Sequence, residues 1–138
     1  MDRKEFLSII GLGAAAVACS ACLDACAPDA QVAAPPTNVD FTLDLTAAQN
    51  ASLKSVGGYI YQDSLIVARI SNGSYVALSS ICTHAGATVY YDLSINRFFC
   101  PSHGSTFATD GSVVIGPAGT PLKKYNTTLS GNSLRVFS

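Results

Sequence analysis

Two short segments combine a cysteine with a histidine, and they are the parts of this chain best suited to chemistry. Cys82 and His84 are separated by one residue, and Cys100 and His103 by two. Each segment offers one thiolate and one imidazole, whereas zinc sites usually group a cysteine pair and then a histidine pair. A centre of two irons explains the mixture, because one iron can take both thiolates and the other both imidazoles. The spacing therefore favours such a centre over a structural zinc site.

The two segments resemble the cluster-binding boxes of Rieske [2Fe–2S] proteins. Residues 82–86 read CTHAG and residues 100–105 read CPSHGS, while residues 116–118 (GPA) resemble the proline-containing loop that covers the cluster in this family. Three further residues continue the match: Pro121, Leu122 and Tyr125. The resemblance spans most of residues 57–138. It implies an all-β, Rieske-type antiparallel β-sandwich with a small cluster-binding subdomain of two loops and a covering loop.

The resemblance also implies the cofactor and its use. One [2Fe–2S] cluster is expected on Cys82, His84, Cys100 and His103, with single-electron transfer as its function. Two ferric ions, two sulfides and two thiolates sum to zero charge when both imidazoles are neutral, so this site accepts an electron more readily than a four-cysteine cluster. Reduction also raises the proton affinity of the outer imidazole nitrogens, which can couple electron uptake to proton uptake.

Five residues near the ligands are expected to tune the cluster: Gly86, Gly104, Ser105, Phe107 and Pro117. The two glycines lack a Cβ, so they either let backbone N–H groups approach the cluster sulfurs or simply permit turns. Ser105 stands where high-potential members of the family place a hydroxyl that hydrogen-bonds a bridging sulfide. Phe107 replaces a tyrosine whose hydroxyl lies near a ligand sulfur in those members.

The sequence also departs from the high-potential members at the second cysteine of each box. Ala87 and Ser102 occupy the positions of two cysteines that those members join in a disulfide between the loops. Each hydrogen bond to the cluster that is lost makes reduction of the cluster less favourable, and both the tyrosine hydroxyl and the disulfide are missing here. We therefore expect an intermediate potential, roughly 0 to +150 mV within the Rieske range. Without the disulfide, the cluster must tie the two loops together, and the loops are expected to be disordered when it is absent.

The elements that position these residues are predicted to be short strands in one all-β domain, residues 39–138. Runs of alternating apolar and polar residues are separated by turn residues, and no run of ten or more shows a helical period. The predicted strands are Phe41–Leu45, Leu65–Ile70, Tyr75–Leu78, Thr88–Tyr91, Arg97–Phe99, Val113–Ile115, Leu122–Thr128 and Leu134–Phe137. The dipeptide Asn72-Gly73 favours a type I′ hairpin turn, because both residues accept positive φ.

Residues 1–18 resemble a bacterial export signal. Arg3 and Lys4 precede an uncharged run from Phe6 to Ala18, which is shorter than the roughly 17–25 residues of a membrane-spanning helix. The opening residues also resemble a twin-arginine signal in which lysine replaces the second arginine. That export route suits a protein that binds its cofactor before it crosses the membrane.

Residues 19–38 are predicted to be a lipid-attachment region followed by a Pro/Ala-rich tether. Cys19 directly follows the apolar run and is the expected site of lipidation, with Cys22 and Cys26 as alternatives. An uncleaved membrane anchor is the other interpretation. Either predicts a protein held at the membrane, on the periplasmic side of a bacterial cell envelope.

Composition narrows the class of partner. Eight basic and nine acidic residues give a net charge of −1, so the chain offers nucleic acid no basic surface. Both histidines of the chain are already assigned, so none is left for the second iron site that a Rieske oxygenase requires. The expected partner is a cytochrome or another oxidoreductase subunit, and quinol is a further candidate. The alternatives are a ferredoxin that serves an oxygenase and a structural or redox-sensing module.

Overall fold

The computed structural model describes residues 32–138, which form ten β-strands and one 3₁₀ helix. In chain order these are β1 (Asp40–Asp44), the 3₁₀ helix (Ala48–Lys54), β2 (Tyr59–Gln62), β3 (Leu65–Arg69), β4 (Tyr75–Ser79), β5 (Tyr90–Asp92), β6 (Arg97–Phe99), β7 (Thr106–Phe107), β8 (Val113–Ile115), β9 (Lys124–Ser130) and β10 (Ser133–Phe137). The all-β fold class is confirmed. None of the helical residues in this part of the chain forms a segment long and apolar enough to cross a membrane. The predicted export signal and the cysteines at 19, 22 and 26 lie outside the described residues.

The strands form two antiparallel sheets. The larger sheet has six strands in the order β1-β10-β9-β4-β3-β2, and the smaller has four in the order β5-β6-β7-β8. β4 and β9 are direct neighbours, with Ala77 opposite Tyr125 and Leu78 opposite Lys124, although the whole smaller sheet lies between them in sequence. The smaller sheet and its loops are therefore an insertion between two paired strands of the larger one.

Strand β3 shows how the larger sheet is covered on both faces. Every side chain from Leu65 to Ala68 is fully buried. Alternate residues of a strand face opposite sides of its sheet. Two of these side chains join a core shared with Phe98 of the smaller sheet. The other two join a core shared with Leu53 of the 3₁₀ helix and Leu134 of β10. A continuous apolar run is the pattern expected of a strand buried on both faces.

The sequence pattern locates most of the strands but not all of them. Each predicted strand is observed with its ends within two residues of the prediction. The 3₁₀ helix Ala48–Lys54 and the strands β2 and β7 are not predicted. β7 has only two residues and is held by its pairing with β6 and β8, so it leaves no periodic pattern in the sequence.

The turn type predicted at Asn72-Gly73 is wrong. Gly73 has a φ of 85°, but Asn72 does not adopt positive φ, which a type I′ turn requires at both positions. The side-chain oxygen of Asn72 instead accepts a hydrogen bond from the amide of Ser74 at 2.9 Å. Two consecutive residues with positive φ occur instead at the turn between β2 and β3, where Asp63 has a φ of 51° and Ser64 a φ of 63°.

Candidate metal centre

The first Cys/His segment is a compact turn, loop 1, which we define as residues 82–87. The amide of Cys82 donates to the carbonyl of Ala87 at 2.7 Å, and the amide of Gly86 donates back to the carbonyl of Cys82 at 2.9 Å. Gly86 has a φ of 78°, in the left-handed region that favours glycine. Glycine is therefore the residue that adopts this turn with the least strain.

The second segment, loop 2 (residues 100–105), repeats the same hydrogen bonds. The amide of Cys100 donates to the carbonyl of Ser105 at 2.8 Å, and the amide of Gly104 donates to the carbonyl of Cys100 at 3.0 Å. Gly104 has a φ of 82°, close to that of its counterpart in loop 1. In each loop the cysteine begins the turn and the histidine lies within it. The two turns therefore offer equivalent pairs of side chains.

The four side chains predicted as ligands come together as two like pairs. Cys82 and Cys100 are each only 1% exposed, and the nearby Cys100 thiol contributes to raising the pKa of the Cys82 thiol. The rings of His84 and His103 are both exposed, with centroids 4.8 Å apart and planes at 84°. The thiols therefore lie at the core side of the site and the imidazoles at its surface.

This grouping fits an iron–sulfur cluster with two ligands on each iron. A [2Fe–2S] cluster that takes two cysteines on one iron and two histidines on the other needs this arrangement of like pairs. Burial raises the pKa of the Cys82 thiol above its ordinary value, although hydrogen bonds from the amides of His84 and Ala85 oppose that shift. Coordination to a metal cation lowers the pKa of the thiol instead, because it favours the thiolate. The donor set and its burial are those that a cluster with two thiolate and two imidazole ligands requires.

A third segment, the covering loop (residues 116–120), is hydrogen-bonded to both ligand loops. The hydroxyl of Thr83 in loop 1 donates to the carbonyl of Thr120 at 2.6 Å. The amide of Ala118 donates to the hydroxyl oxygen of Ser105 in loop 2 at 3.0 Å. Pro117 directly precedes the Ala118 attachment and is exposed. The covering loop thus connects the loops in the absence of a disulfide between them.

Thr83 is a residue of the site that sequence reasoning missed. A hydroxyl residue between Cys82 and His84 was visible in the sequence, but its partner is 37 residues away and depends on the fold.

The structure also shows where the two positions that lack the family's second cysteine lie. Ala87 packs against the core of the smaller sheet, whereas Ser102 is exposed. Both cysteines in the described part of the chain are free, so no disulfide joins the loops.

Two residues predicted to tune the centre lie deep beside it. Ser105 and Phe107 are both fully buried, and Phe107 belongs to the same core cluster as Cys82 and Cys100. The Ser105 hydroxyl oxygen already accepts a hydrogen bond from Ala118, and within residues 32–138 no acceptor takes its hydrogen. That hydroxyl is therefore free to donate to a group bound between the loops. A phenylalanine at 107 offers no such donor.

Comparison with known proteins identifies the family. The family model described as the Rieske [2Fe-2S] domain matches residues 41–126. The chain is 30% identical over 138 residues to the cytochrome b6-f complex iron-sulfur subunit of Chlorobaculum tepidum, covering 98% of this chain and 75% of that protein. The chain belongs to the Rieske [2Fe–2S] family. It accordingly carries one [2Fe–2S] cluster and transfers single electrons through it.

Solved Rieske structures share the fold. The cyanobacterial plasma membrane Rieske protein from Synechocystis PCC 6803 superposes with a TM-score of 0.55 at 35% identity, covering 64% of this chain and 93% of that one. The Sphingomonas yanoikuyae B1 ferredoxin superposes with a TM-score of 0.52 at 26% identity, covering 63% and 93%. The Rieske fold is therefore shared with proteins of both a membrane and a ferredoxin type.

Proposed function

We propose that Cys82 and Cys100 bind one iron of the cluster and that His84 and His103 bind the other. We propose further that the chain is a membrane-tethered electron carrier or subunit whose partner contains a cytochrome. The observation that carries this proposal is that the same two turns bring together a pair of exposed imidazole rings and a pair of buried cysteines. When bound, the cluster supplies a site that takes up and releases one electron.

The buried and the exposed side chains of the site have different roles. The buried thiols and Phe107 keep water away from the inner part of the centre. The exposed rings of His84 and His103 are the ligands that a partner protein can contact, so electrons enter and leave at this surface. A neutral imidazole can also exchange a proton at its outer nitrogen. Quinol, whose oxidation releases protons as well as electrons, is therefore a further candidate donor.

Two observations support a cytochrome partner at the membrane. The Chlorobaculum relative, which aligns with nearly the whole chain, is named as a subunit of the cytochrome b6-f complex. The Synechocystis structure is that of a plasma membrane Rieske protein. The export-like residues 1–18 and the position of Cys19 support attachment by a lipid on the periplasmic side.

Fractionation followed by electron exchange tests this proposal. We expect the full chain, expressed in a Gram-negative host, to be found in the membrane fraction, and a Cys19→Ala variant to move to the soluble fraction. The wild-type protein, reduced with ascorbate or dithionite, should then reduce mitochondrial cytochrome c, used as a soluble probe, in a second-order reaction. A protein that is soluble in both forms and inert towards the cytochrome would contradict the proposal.

Two observations favour a second candidate, a ferredoxin that serves an oxygenase. The loops lack a disulfide, and the chain shares 26% identity with the Sphingomonas ferredoxin. A soluble full chain that is reduced by an NADH-dependent ferredoxin reductase, and that does not react with cytochrome c, would favour this candidate over the first.

We expect Ser105→Ala to lower the reduction potential of the cluster by roughly 60–130 mV. The buried hydroxyl has a free hydrogen, and a hydrogen bond to a charged group contributes about 1.5–3 kcal/mol, where about 1.4 kcal/mol corresponds to 59 mV for one electron. A redox titration followed by EPR gives the value. Thr106→Val is the matched control, because it removes the neighbouring buried hydroxyl, which has no hydrogen-bond partner within the described residues. An unchanged potential in Ser105→Ala would show that the hydroxyl does not contact the cluster.

A further inference from the structure

Residues 32–36 are hydrogen-bonded to the domain at a single carbonyl group. The Pro36 carbonyl accepts a hydrogen bond from the hydroxyl of Tyr125 at 2.7 Å and another from the ammonium group of Lys123 at 3.2 Å. The Lys123 nitrogen also lies 5.1 Å from the centroid of the Tyr125 ring. Because Tyr125 is only 1% exposed, its hydroxyl is held in place by the core. Two preorganised donors therefore converge on one backbone acceptor.

From Pro36 the chain leads back to loop 1. A Cβ atom built on Gly86 would lie 3.9 Å from the Cγ1 atom of Val32, so Val32 lies against this part of the loop. Residues 32–35 form one wall of a groove of about 360 Å³. Ile81, Thr83 and residues 120–123 form the other walls. The segment thus runs along the flank of loop 1 and of the covering loop.

Nothing in the local structure of this segment accounts for its position. Residues 32–35 are exposed and belong to no strand or helix, and Pro35 and Pro36 have no amide hydrogen to donate. The hydrogen bond from Tyr125 contributes only about 0.5–1.5 kcal/mol net, and that from Lys123 is longer and made by a partly exposed group. A segment held by so few contacts exchanges between a docked and a released state.

We propose that residues 32–36 are a strap that docks reversibly beside loop 1, and that Tyr125 and Lys123 hold it there. The docked strap occupies the surface next to Gly86, two residues from His84. A partner protein that approaches the imidazole from this side has to displace the strap. Tyr125 and Lys123 are therefore positioning residues for the strap and do not contact the electron-transfer site. The inference is independent of the identity of the redox partner.

Elastase, which cleaves after alanine and valine, tests this proposal on the full-length, cluster-loaded protein. New N-termini at residues 33 and 34, measured by mass spectrometry, report cleavage within the strap. A synthetic peptide of residues 27–38 gives the rate for the same bonds without docking. We expect the protein to be cleaved more slowly than the peptide, because cleavage tracks the population of the released strap.

Removing one hydroxyl should release the strap. We expect Tyr125→Phe to accelerate cleavage about two- to tenfold, as the loss of one hydrogen bond predicts. Tyr75→Phe is the matched control, because it removes a tyrosine hydroxyl that donates to the Leu53 carbonyl at 3.1 Å, and it should leave the rate unchanged. Lys123→Met should accelerate cleavage by a smaller factor, since its hydrogen bond is longer.

Each result decides the question. Cleavage of wild-type protein as fast as the peptide would overturn the proposal, as would equal rates in Tyr125→Phe and Tyr75→Phe. If Tyr125→Phe loses the visible spectrum of the cluster and so fails to fold, Lys123→Met alone decides. That side chain lies only partly in the interior, so its replacement leaves the core intact. An unchanged rate in this variant would then reject the strap.

Discussion

Replacing Cys82 with alanine should abolish the visible absorption of the cluster and its EPR signal after reduction by dithionite. Iron should fall from about two atoms per chain to background levels. The thiol is buried beside that of Cys100, so no water or surface side chain can take its place at the core side of the site. We expect Cys100→Ala to give the same result. Iron analysis and EPR on the purified variants provide the measurement.

The control for this experiment comes from the same loop. Ser102 lies between Cys100 and His103 but is exposed and is not a proposed ligand, so Ser102→Ala should retain the full spectrum. Circular dichroism shows whether the cysteine variants keep their β-structure. A Cys82→Ala protein with wild-type iron content and EPR signal would refute the ligand assignment.

Removal of the cluster by an iron chelator should open the two ligand loops and leave the larger sheet folded. We expect the amides of Gly86 and Gly104 to exchange with deuterium on the order of 100-fold faster, which corresponds to about 2.7 kcal/mol of lost protection. Both amides donate to the carbonyl of a cysteine that we propose as a cluster ligand. No disulfide joins the loops, and one hydrogen bond links each of them to the covering loop.

Strand β3 provides the internal reference for this measurement. The amides of Ile66 and Val67 lie in a strand buried on both faces and should keep their protection after chelation. Hydrogen exchange followed by mass spectrometry or NMR separates the regions. Equal acceleration in β3 and in the loops would show that the cluster holds the entire domain together. Unchanged exchange in the loops would show that their hydrogen bonds suffice.

The sequence is most informative about this protein where rare residue types carry the chemistry. The chain has only two histidines, and each lies within three residues of a cysteine, so the candidate ligands could be named without coordinates. The structure then adds what spacing cannot provide, the separation into buried thiols and exposed imidazoles. Strands with alternating apolar residues were also predictable, because burial of one face selects that pattern.

Contacts between distant segments could not be predicted. The hydrogen bond from Tyr125 to Pro36 joins residues 89 apart, and that from Thr83 to Thr120 joins residues 37 apart. The first depends on how the segment before β1 lies against β9, and the second on how the loops of the insertion fold. The turn at Asp63 and Ser64 could not be predicted for a different reason. Neither residue is a glycine, and the positive φ of both is imposed by the tight connection between β2 and β3.

The pairing of β4 with β9 makes the metal-binding part of the chain a removable cassette. The amide of Ser79 donates to the carbonyl of Lys123 at 2.8 Å, so the entry and exit points of the segment between them are adjacent. Excision of that segment and closure by a short hairpin turn would keep every strand pairing of the larger sheet. The excision would also expose Ile66 and Leu78 to solvent, because both now pack against the cassette. A host hairpin for transplantation must therefore offer an apolar platform as well as two neighbouring ends.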